Sequence, residues 1–161
     1  MRIFGRALIT ALCVAGVVAA SAVPTFADEK GNLTDFSSMT AIPVGGMVVR
    51  GIIGGGLPWA ITSGTGTVSQ KGAVDVTVKG LVIPSLGGIN PIANFEATVS
   101  CLTPDGIVNV STGRFDATVP GGNSHITATV DLPRPCIHPI VFVGVFPSGR
   151  WFAMSNPDTQ P

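Results

Sequence analysis

Short stretches in which apolar and polar residues alternate dominate the chain. In "AVDVTVKG", Val74, Val76 and Val78 occupy every second position and polar residues stand between them. Successive side chains of a β-strand point to opposite faces, so this pattern predicts a half-buried strand. The stretches "NFEATVSC" and "HITATVDL" carry the same pattern. The residues expected to face inward there are Phe95, Ala97, Val99 and Cys101, and Ile126, Ala128, Val130 and Leu132.

Two further stretches are apolar on both faces: "MVVRGII" near Met47, and "PIVFVGVF" over 139–146. Both are predicted to be central strands covered on both sides. Turn motifs such as "GGGLP", "SGTG", "TPDG" and "VPGGN" separate the strands at short intervals, and no window has a helical apolar period free of Gly and Pro. Seven to nine short strands at this spacing predict an all-β, antiparallel β-sandwich.

The predicted sandwich is only loosely immunoglobulin-like. The immunoglobulin fold places a buried Trp between its two bridge cysteines in sequence. Here Trp59 precedes both Cys101 and Cys136, and Trp151 follows both. A generic sandwich is therefore the prediction.

The N-terminus has the pattern of an export signal. Arg2 and Arg6 precede an apolar run over 7–20, and small residues follow as far as Ala27, the predicted cleavage site. The run is shorter than the roughly 20 residues that span a bilayer, so we expect no membrane insertion after cleavage. The predicted boundaries are 1–27 for the signal peptide, 28–42 for a flexible N-terminal extension, 43–155 for the β-sandwich domain and 156–161 for a flexible tail.

Charge excludes one class of partner. Charged residues make up 11% of the chain. Without Arg2 and Arg6, seven basic residues face nine acidic ones, a net charge of −2. Nucleic-acid binding needs a basic surface that neutralises phosphates, so no nucleic-acid partner is expected. A mean hydropathy of +0.51 combined with so few charges predicts a surface rich in Thr, Ser, Asn and Gly.

Cys13 lies in the predicted signal peptide, and the two cysteines outside it predict a disulfide. Cys101 and Cys136 form an even pair in an exported chain, and oxidising compartments favour their bridging. The closed loop of about 35 residues corresponds to roughly 4 kcal/mol in the chain-entropy model. A metal site at "CIH" is the alternative, with His138 and His125 as further ligands. Its spacing fits neither copper nor structural zinc sites, so no metal and no cofactor are expected.

The sequence carries no catalytic signature. "GxSxG" is absent, and the glycine-rich "GIIGGGLPW" lacks the Lys-Ser/Thr that closes a phosphate-binding loop. A non-enzymatic protein is the leading prediction. Two alternatives stay open: a small hydrolase and a protease inhibitor that presents "VPGGN" or "FPSGR". The hydrolase would use Glu96, Asp116, Asp131 or His125.

The tryptophans are the candidate contact residues for a ligand or partner. Trp59 follows a glycine run and a proline, and Trp151 follows a turn and Arg150. Exposed tryptophans stack on sugars, and Trp and Arg are favoured anchors at protein interfaces. Trp59, Trp151 and Arg150 are therefore the predicted contacts.

Several segments together resemble a family of small exported proteins of actinobacteria and related bacteria. They are "GLPWAI", "NPIANFEATVSCLT", "VNVSTGRF", "GGNSHI", "LPRPCIHPIVFV" and "RWFAMS", which span roughly 44–154. The resemblance implies a bacterial, extracellular protein and carries no activity or site. With the export signal and the cysteines, it predicts a secreted binding or interaction module whose partner is a cell-wall polymer or a protein.

Overall fold

The computed structural model describes residues 31–145 and 149–156. The predicted signal peptide and residues 157–161 of the predicted tail lie outside the described residues. The described residues are all-β, with a short 3₁₀ turn at Pro84–Leu86. None of the described segments forms a helix of the length and apolarity that a membrane crossing requires. The strands are β1 Asn32–Phe36, β2 Met39–Ala41, β3 Val48–Val49, β4 Ile52–Ile53, β5 Ser63–Ser69, β6 Ala73–Lys79, β7 Asn94–Thr103, β8 Gly106–Ser111, β9 Phe115–Asp116, β10 Ser124–Thr129, β11 Ile137–Val145 and β12 Arg150–Ser155.

The strands form two main antiparallel sheets. The first has four strands in the order β1-β5-β6-β10. The second has six, in the order β2-β12-β11-β7-β8, with β9 also paired to β7. Side chains from both sheets share one hydrophobic core, to which Val76 and Ile126 belong in the first sheet and Val99 and Val143 in the second. The predicted antiparallel β-sandwich is confirmed.

The described part of the chain contains more strands than the predicted seven to nine. Twelve are present, and eight of them have five residues or more. The other four, β2, β3, β4 and β9, have two or three residues each. Such short strands leave no alternation for a sequence pattern to reveal.

The alternation is confirmed in the four-stranded sheet. Val74, Val76 and Val78 of β6 are buried, while Asp75 between them is exposed. β10 pairs with β6 along its whole length, and its Ile126 is buried. One face of this sheet therefore packs on the core and the other faces solvent.

The centre of the six-stranded sheet is buried on both faces. β11 lies between β12 and β7, and Val141, Phe142 and Val143 are all buried, which confirms the central strand predicted here. In β7 the half-buried prediction is wrong, because Glu96 and Ser100 on its outer face are buried as well.

The β3–β4 hairpin covers that outer face. Asn109, which lies opposite Ser100 in the sheet, donates from Nδ2 to the Arg50 carbonyl oxygen at 3.0 Å. Trp151 donates from Nε1 to the Ile52 carbonyl oxygen at 3.2 Å. These bonds hold the turn and the second strand of the hairpin against the sheet.

The same hairpin overturns the central strand predicted in "MVVRGII". Arg50 and Gly51 have φ values of 52° and 77° and form a two-residue turn between the paired Val49 and Ile52. The turn divides the apolar run into two short strands. Val48 is 60% exposed, so the stretch is not covered on both sides.

The flexible extension predicted over 28–42 is also wrong where the structure describes it. β1 pairs with β5, and β2 pairs with β12. Phe36, Met39 and Ile42 are buried in the core. β1 and β2 each contribute one buried side chain, which is too few to produce a period in the sequence.

The predicted disulfide is confirmed. Cys101 of β7 and Cys136, just before β11, are bonded with a Cα–Cα distance of 4.8 Å. The bridge joins neighbouring strands, because β7 and β11 pair directly and Ile137 lies opposite Leu102.

We expect the double variant Cys101→Ala/Cys136→Ala to lose about 4 kcal/mol of unfolding free energy, because the unfolded chain gains the freedom of a 35-residue loop. Denaturant titration monitored by tryptophan fluorescence measures the loss. Reductant serves as the control, since it should destabilise the wild type and leave the double variant unchanged. A loss under about 1 kcal/mol would contradict the loop-closure account.

Candidate functional site

The solvent-facing side of the four-stranded sheet carries an ordered set of polar side chains, which we call the polar face. Its members alternate with the inward-facing valines and glycines of β5 and β6 and with Ile126 of β10. β-Branched threonine suits such positions because it favours extended backbone and offers a hydroxyl to solvent. The polar face consists of Asp35, Thr65, Thr67, Asp75, Thr77, His125 and Thr127.

Strand register aligns these side chains in two rows. The first row crosses all four strands, because Asp35 pairs with Thr67, Thr67 with Asp75, and Asp75 with Thr127. In the second row, Thr65 pairs with Thr77, and Thr77 pairs with His125. Paired residues point to the same face, so the rows present hydroxyls, carboxylates and one imidazole side by side.

His125 and Asp75 connect the two rows. The His125 Nε2 atom lies 3.1 Å from the Asp75 Oδ1 atom, and the two side chains are 61% and 60% exposed. A side-chain contact this exposed contributes little to stability. Both groups therefore remain accessible to a ligand.

Two open depressions border the polar face. The larger, of about 510 Å³, is lined by Asp35, Phe36, Ser37, Thr65, Gly66, Thr67 and Asp75. The smaller, of about 370 Å³, is lined by Thr77, Val78, Lys79, Asp116, Asn123, Ser124 and His125. Each holds carboxylate and hydroxyl groups, and neither is an enclosed cavity. Hydrogen bonding to an extended ligand suits this shape better than enclosure of a small one.

The tryptophans are not on this surface, and the prediction that they are exposed contacts is wrong. Trp59 is 6% and Trp151 is 2% exposed. Trp59 stacks on Phe152 with ring centroids 4.1 Å apart, and Trp151 packs against Phe142 at 5.6 Å. Both rings fill the interior, so neither is available to stack on a sugar.

Arg150 is the one exposed member of the predicted contact set. It lies at the start of β12, where Nη1 donates to the Gly54 carbonyl oxygen at 3.1 Å. Together with Gly51, Ile52, Ile53 and Gly149, it lines a depression of about 240 Å³. This place belongs to the hairpin side of the six-stranded sheet and not to the polar face.

The candidate hydrolase residues are divided between the two sheets. Glu96 is buried in β7, and Asp131 is exposed in the loop after β10. Asp116 and His125 line the smaller depression together. The structure thus brings together two of the four predicted residues and adds Asp75, which the sequence did not single out.

Asp75 was missed because its partner comes from a distant part of the chain. The sequence shows that Asp75 and His125 both face outward from strands. The sequence does not show the order of strands in the sheet, and this order makes β6 and β10 neighbours, with Thr77 opposite His125. Polar residues at matching positions of alternating strands were the available signal.

The cysteine and histidine of "CIH" do not act together. The Cys136 sulfur is bonded to Cys101, so it offers no thiolate to a metal. The His138 carbonyl oxygen accepts a hydrogen bond from Arg50 Nη2 at 3.0 Å, which ties this segment to the hairpin. Among the described residues, no three His, Cys, Asp or Glu side chains are grouped so as to hold a metal ion.

The loop "VPGGN", a predicted inhibitor loop, is folded onto the domain. Gly122 and Asn123 donate backbone hydrogen bonds to Thr118, and the Pro120 carbonyl oxygen accepts from Asn90. The Gly122 carbonyl oxygen accepts a further bond from Leu81. These bonds use backbone groups that an extended inhibitor loop would present to a protease. In "FPSGR", residues 146–148 lie outside the described residues.

The chain has no significant match among protein-family models, curated proteins or solved structures. The resemblance to small exported bacterial proteins therefore stays a prediction.

Burial raises the pKa of Glu96, and the charge of Arg114 offsets part of that rise. The Oε2 atom of Glu96 is buried without a hydrogen-bond partner. An ionised carboxylate in such surroundings is costly, so the folded protein holds the Glu96 proton more tightly than the unfolded chain does.

We expect Glu96→Gln to raise the unfolding temperature near neutral pH and to have little effect in acid. With a raised folded pKa, Glu96 costs no stability below its unfolded pKa and becomes destabilising as pH rises through its folded pKa. Glutamine does not titrate, so the difference between variant and wild type should grow with pH. Calorimetry across that range measures it. Asp105→Asn, at an exposed turn, is the control, and a difference that grows in acid would contradict the assignment.

Proposed function

We propose that the protein is a secreted, non-enzymatic module that binds a hydroxyl-rich extracellular polymer, such as a cell-wall polysaccharide, on the polar face. The observation that carries the proposal is the row Asp35, Thr67, Asp75 and Thr127, which crosses four adjacent strands in register. Polysaccharides offer repeated hydroxyl groups that donate and accept hydrogen bonds. Carboxylates accept such bonds strongly, and threonine hydroxyls both donate and accept.

The shape of the face supports a polymer over a small molecule. Its two depressions are open and lie on either side of the His125 and Asp75 pair. Small-molecule sites bury most of their ligand in an apolar cleft. An extended chain can instead contact both depressions, adding many weak hydrogen bonds along its length.

The charges of the face argue against polyanions. Asp35 and Asp75 face solvent in the larger depression, and Lys79 and His125 lie at the smaller one. A ligand rich in phosphate needs a surplus of cations, which this face does not offer. Neutral or amino sugars fit it better.

The extracellular part of the proposal rests on the export signal and the bridge. The Cys101–Cys136 disulfide is compatible with an oxidising compartment, where such bonds persist. A leader over 1–27 would bring the chain there.

We expect Asp75→Ala to weaken binding to the recognised polymer about tenfold to a hundredfold. A hydrogen bond to a charged group contributes about 1.5–3 kcal/mol. The measurement is co-sedimentation of the purified protein with insoluble peptidoglycan, chitin and β-glucan, each titrated separately. Folding should survive, because Asp75 is exposed and its contact with His125 contributes little to stability.

Asp105→Ala is the matched control, since it removes an equally simple exposed carboxylate from the turn between β7 and β8. It should leave binding unchanged. If the wild type sediments with none of the polymers, or if both variants lose binding equally, the polar face is not the site.

A specific observation also favours a second candidate, a small hydrolase. His125 and Asp116 line the same depression, and Asp75 lies 3.1 Å from His125. A histidine oriented by a carboxylate is a common general base. Release of reducing ends from the bound polymer, abolished by His125→Asn, would establish this activity. Binding without any release would assign the face to binding alone.

A further inference from the structure

β8 lies at the end of the six-stranded sheet. β7 pairs with it on one side, and no described strand pairs with it on the other. β9 does not fill this position, because it pairs with Asn94 and Phe95, whereas β8 pairs with 98–103. The outer edge of β8 is therefore open.

Alternate backbone groups of β8 point to that open edge. The Thr112 N–H donates to the Ala97 carbonyl oxygen, so this residue turns its backbone toward β7. In an antiparallel ladder every second residue does the same, so the backbone groups of Gly106, Val108 and Val110 also point toward β7. Ile107, Asn109 and Ser111 then direct their N–H and C=O groups outward.

The edge lacks the usual protection against pairing. Edge strands are commonly blocked by a charge, a proline or a bulge. "GIVNVS" contains no charge and no proline, and its pairing with β7 is continuous. Ile107 is 49% and Val108 is 36% exposed. Such a strand is a template for a further strand.

The other sheet ends differ from β8. β1 carries Asp35, and β2 has three residues. The start of β10 is held to β9, where the Ser124 hydroxyl donates to the Asp116 carbonyl oxygen at 2.8 Å. Among the described edges, β8 is thus the uncharged one that is open along all six of its residues.

We propose that β8 pairs with β8 of a second copy of this chain, antiparallel about a two-fold axis, and joins the two six-stranded sheets into one. A second copy supplies a partner strand of equal length. Because β8 is uncharged, the two-fold opposes no like charges. A pairing centred on Asn109 places Val108 opposite the partner's Val110, and such β-branched pairs stabilise a sheet.

Self-pairing also closes the assembly. A two-fold contact uses the same surface on both copies and leaves neither β8 free, whereas pairing of β8 with β2 of another copy would continue into a filament. The polar face belongs to the other sheet and stays exposed in the dimer. Two copies of it would then bind one polymer with a gain from multivalency.

The test is sedimentation equilibrium of the full secreted protein over a wide concentration range, with two variants of one residue. Ile107→Lys adds a charge at the edge. Ile107→Pro removes an outward N–H that makes no bond within the sheet, so the fold should tolerate it. We expect a wild-type dimer and at least tenfold weaker dimerisation in both variants.

Leu86→Lys is the matched control, because Leu86 is 46% exposed in the 3₁₀ turn, outside the sheets. It should dimerise as the wild type does. Circular dichroism confirms that each variant is folded. A wild type that stays monomeric, a dimer that survives both Ile107 changes, equal loss in Leu86→Lys, or growth into large assemblies would each overturn the proposal.

Discussion

β7 and β11, the two longest of the described strands, pair at the centre of the six-stranded sheet, and the four-stranded sheet and the β3–β4 hairpin pack on its two faces. The inner faces meet the valines of the four-stranded sheet. The outer faces meet the β3–β4 hairpin, which reaches across to Asn109 and Trp151. The disulfide fixes the shared end of this pair, where Cys101 meets Cys136. Because both faces are covered, this sheet offers solvent little more than its edges, and the exposed sheet surface of the molecule falls mainly to the four-stranded sheet.

A glycine-rich segment makes this double coverage possible. A side chain at Gly55 would place its Cβ 2.9 Å from Phe152 and 3.0 Å from the Trp59 ring nitrogen. Only glycine lets the backbone after β4 approach the aromatic rings so closely. The run "GIIGGGLPW" is therefore explained by packing, and a phosphate ligand is not needed to account for it. The same packing buries Trp59 and Trp151, which could contact a ligand only if they were exposed.

The sequence predicts the parts of the fold that depend on alternation along one strand. The valines of β6 and the apolar run of β11 are buried as predicted. The side chains along one strand are apolar where they face the core and polar where they face solvent, so the sequence of that strand alone shows its surroundings. The prediction fails where burial comes from a distant segment. Glu96 stands at a position that the alternation predicts to be solvent-exposed, yet it is buried. β1 and β2 are too short to show a period. For the same reason Asp75 and His125 could each be predicted to face outward, but their contact could not, since it requires β6 and β10 to be neighbours.

Low charge has opposite consequences on the two sheets. Because only 11% of the residues are charged, the exposed strands must form their hydrogen bonds to water mainly through uncharged groups. On the four-stranded sheet, threonine hydroxyls form these hydrogen bonds, and a few carboxylates lie among them. The polar face therefore offers many hydrogen-bonding groups and little net charge. On β8 the exposed side chains include the apolar Ile107 and Val108, and alternate backbone groups at the edge also face water. Backbone groups at an edge are satisfied equally well by another strand, and the apolar side chains beside them gain from leaving water. The proposed polymer-binding face and the proposed dimer edge therefore lie on different sheets, so occupancy of one does not obstruct the other.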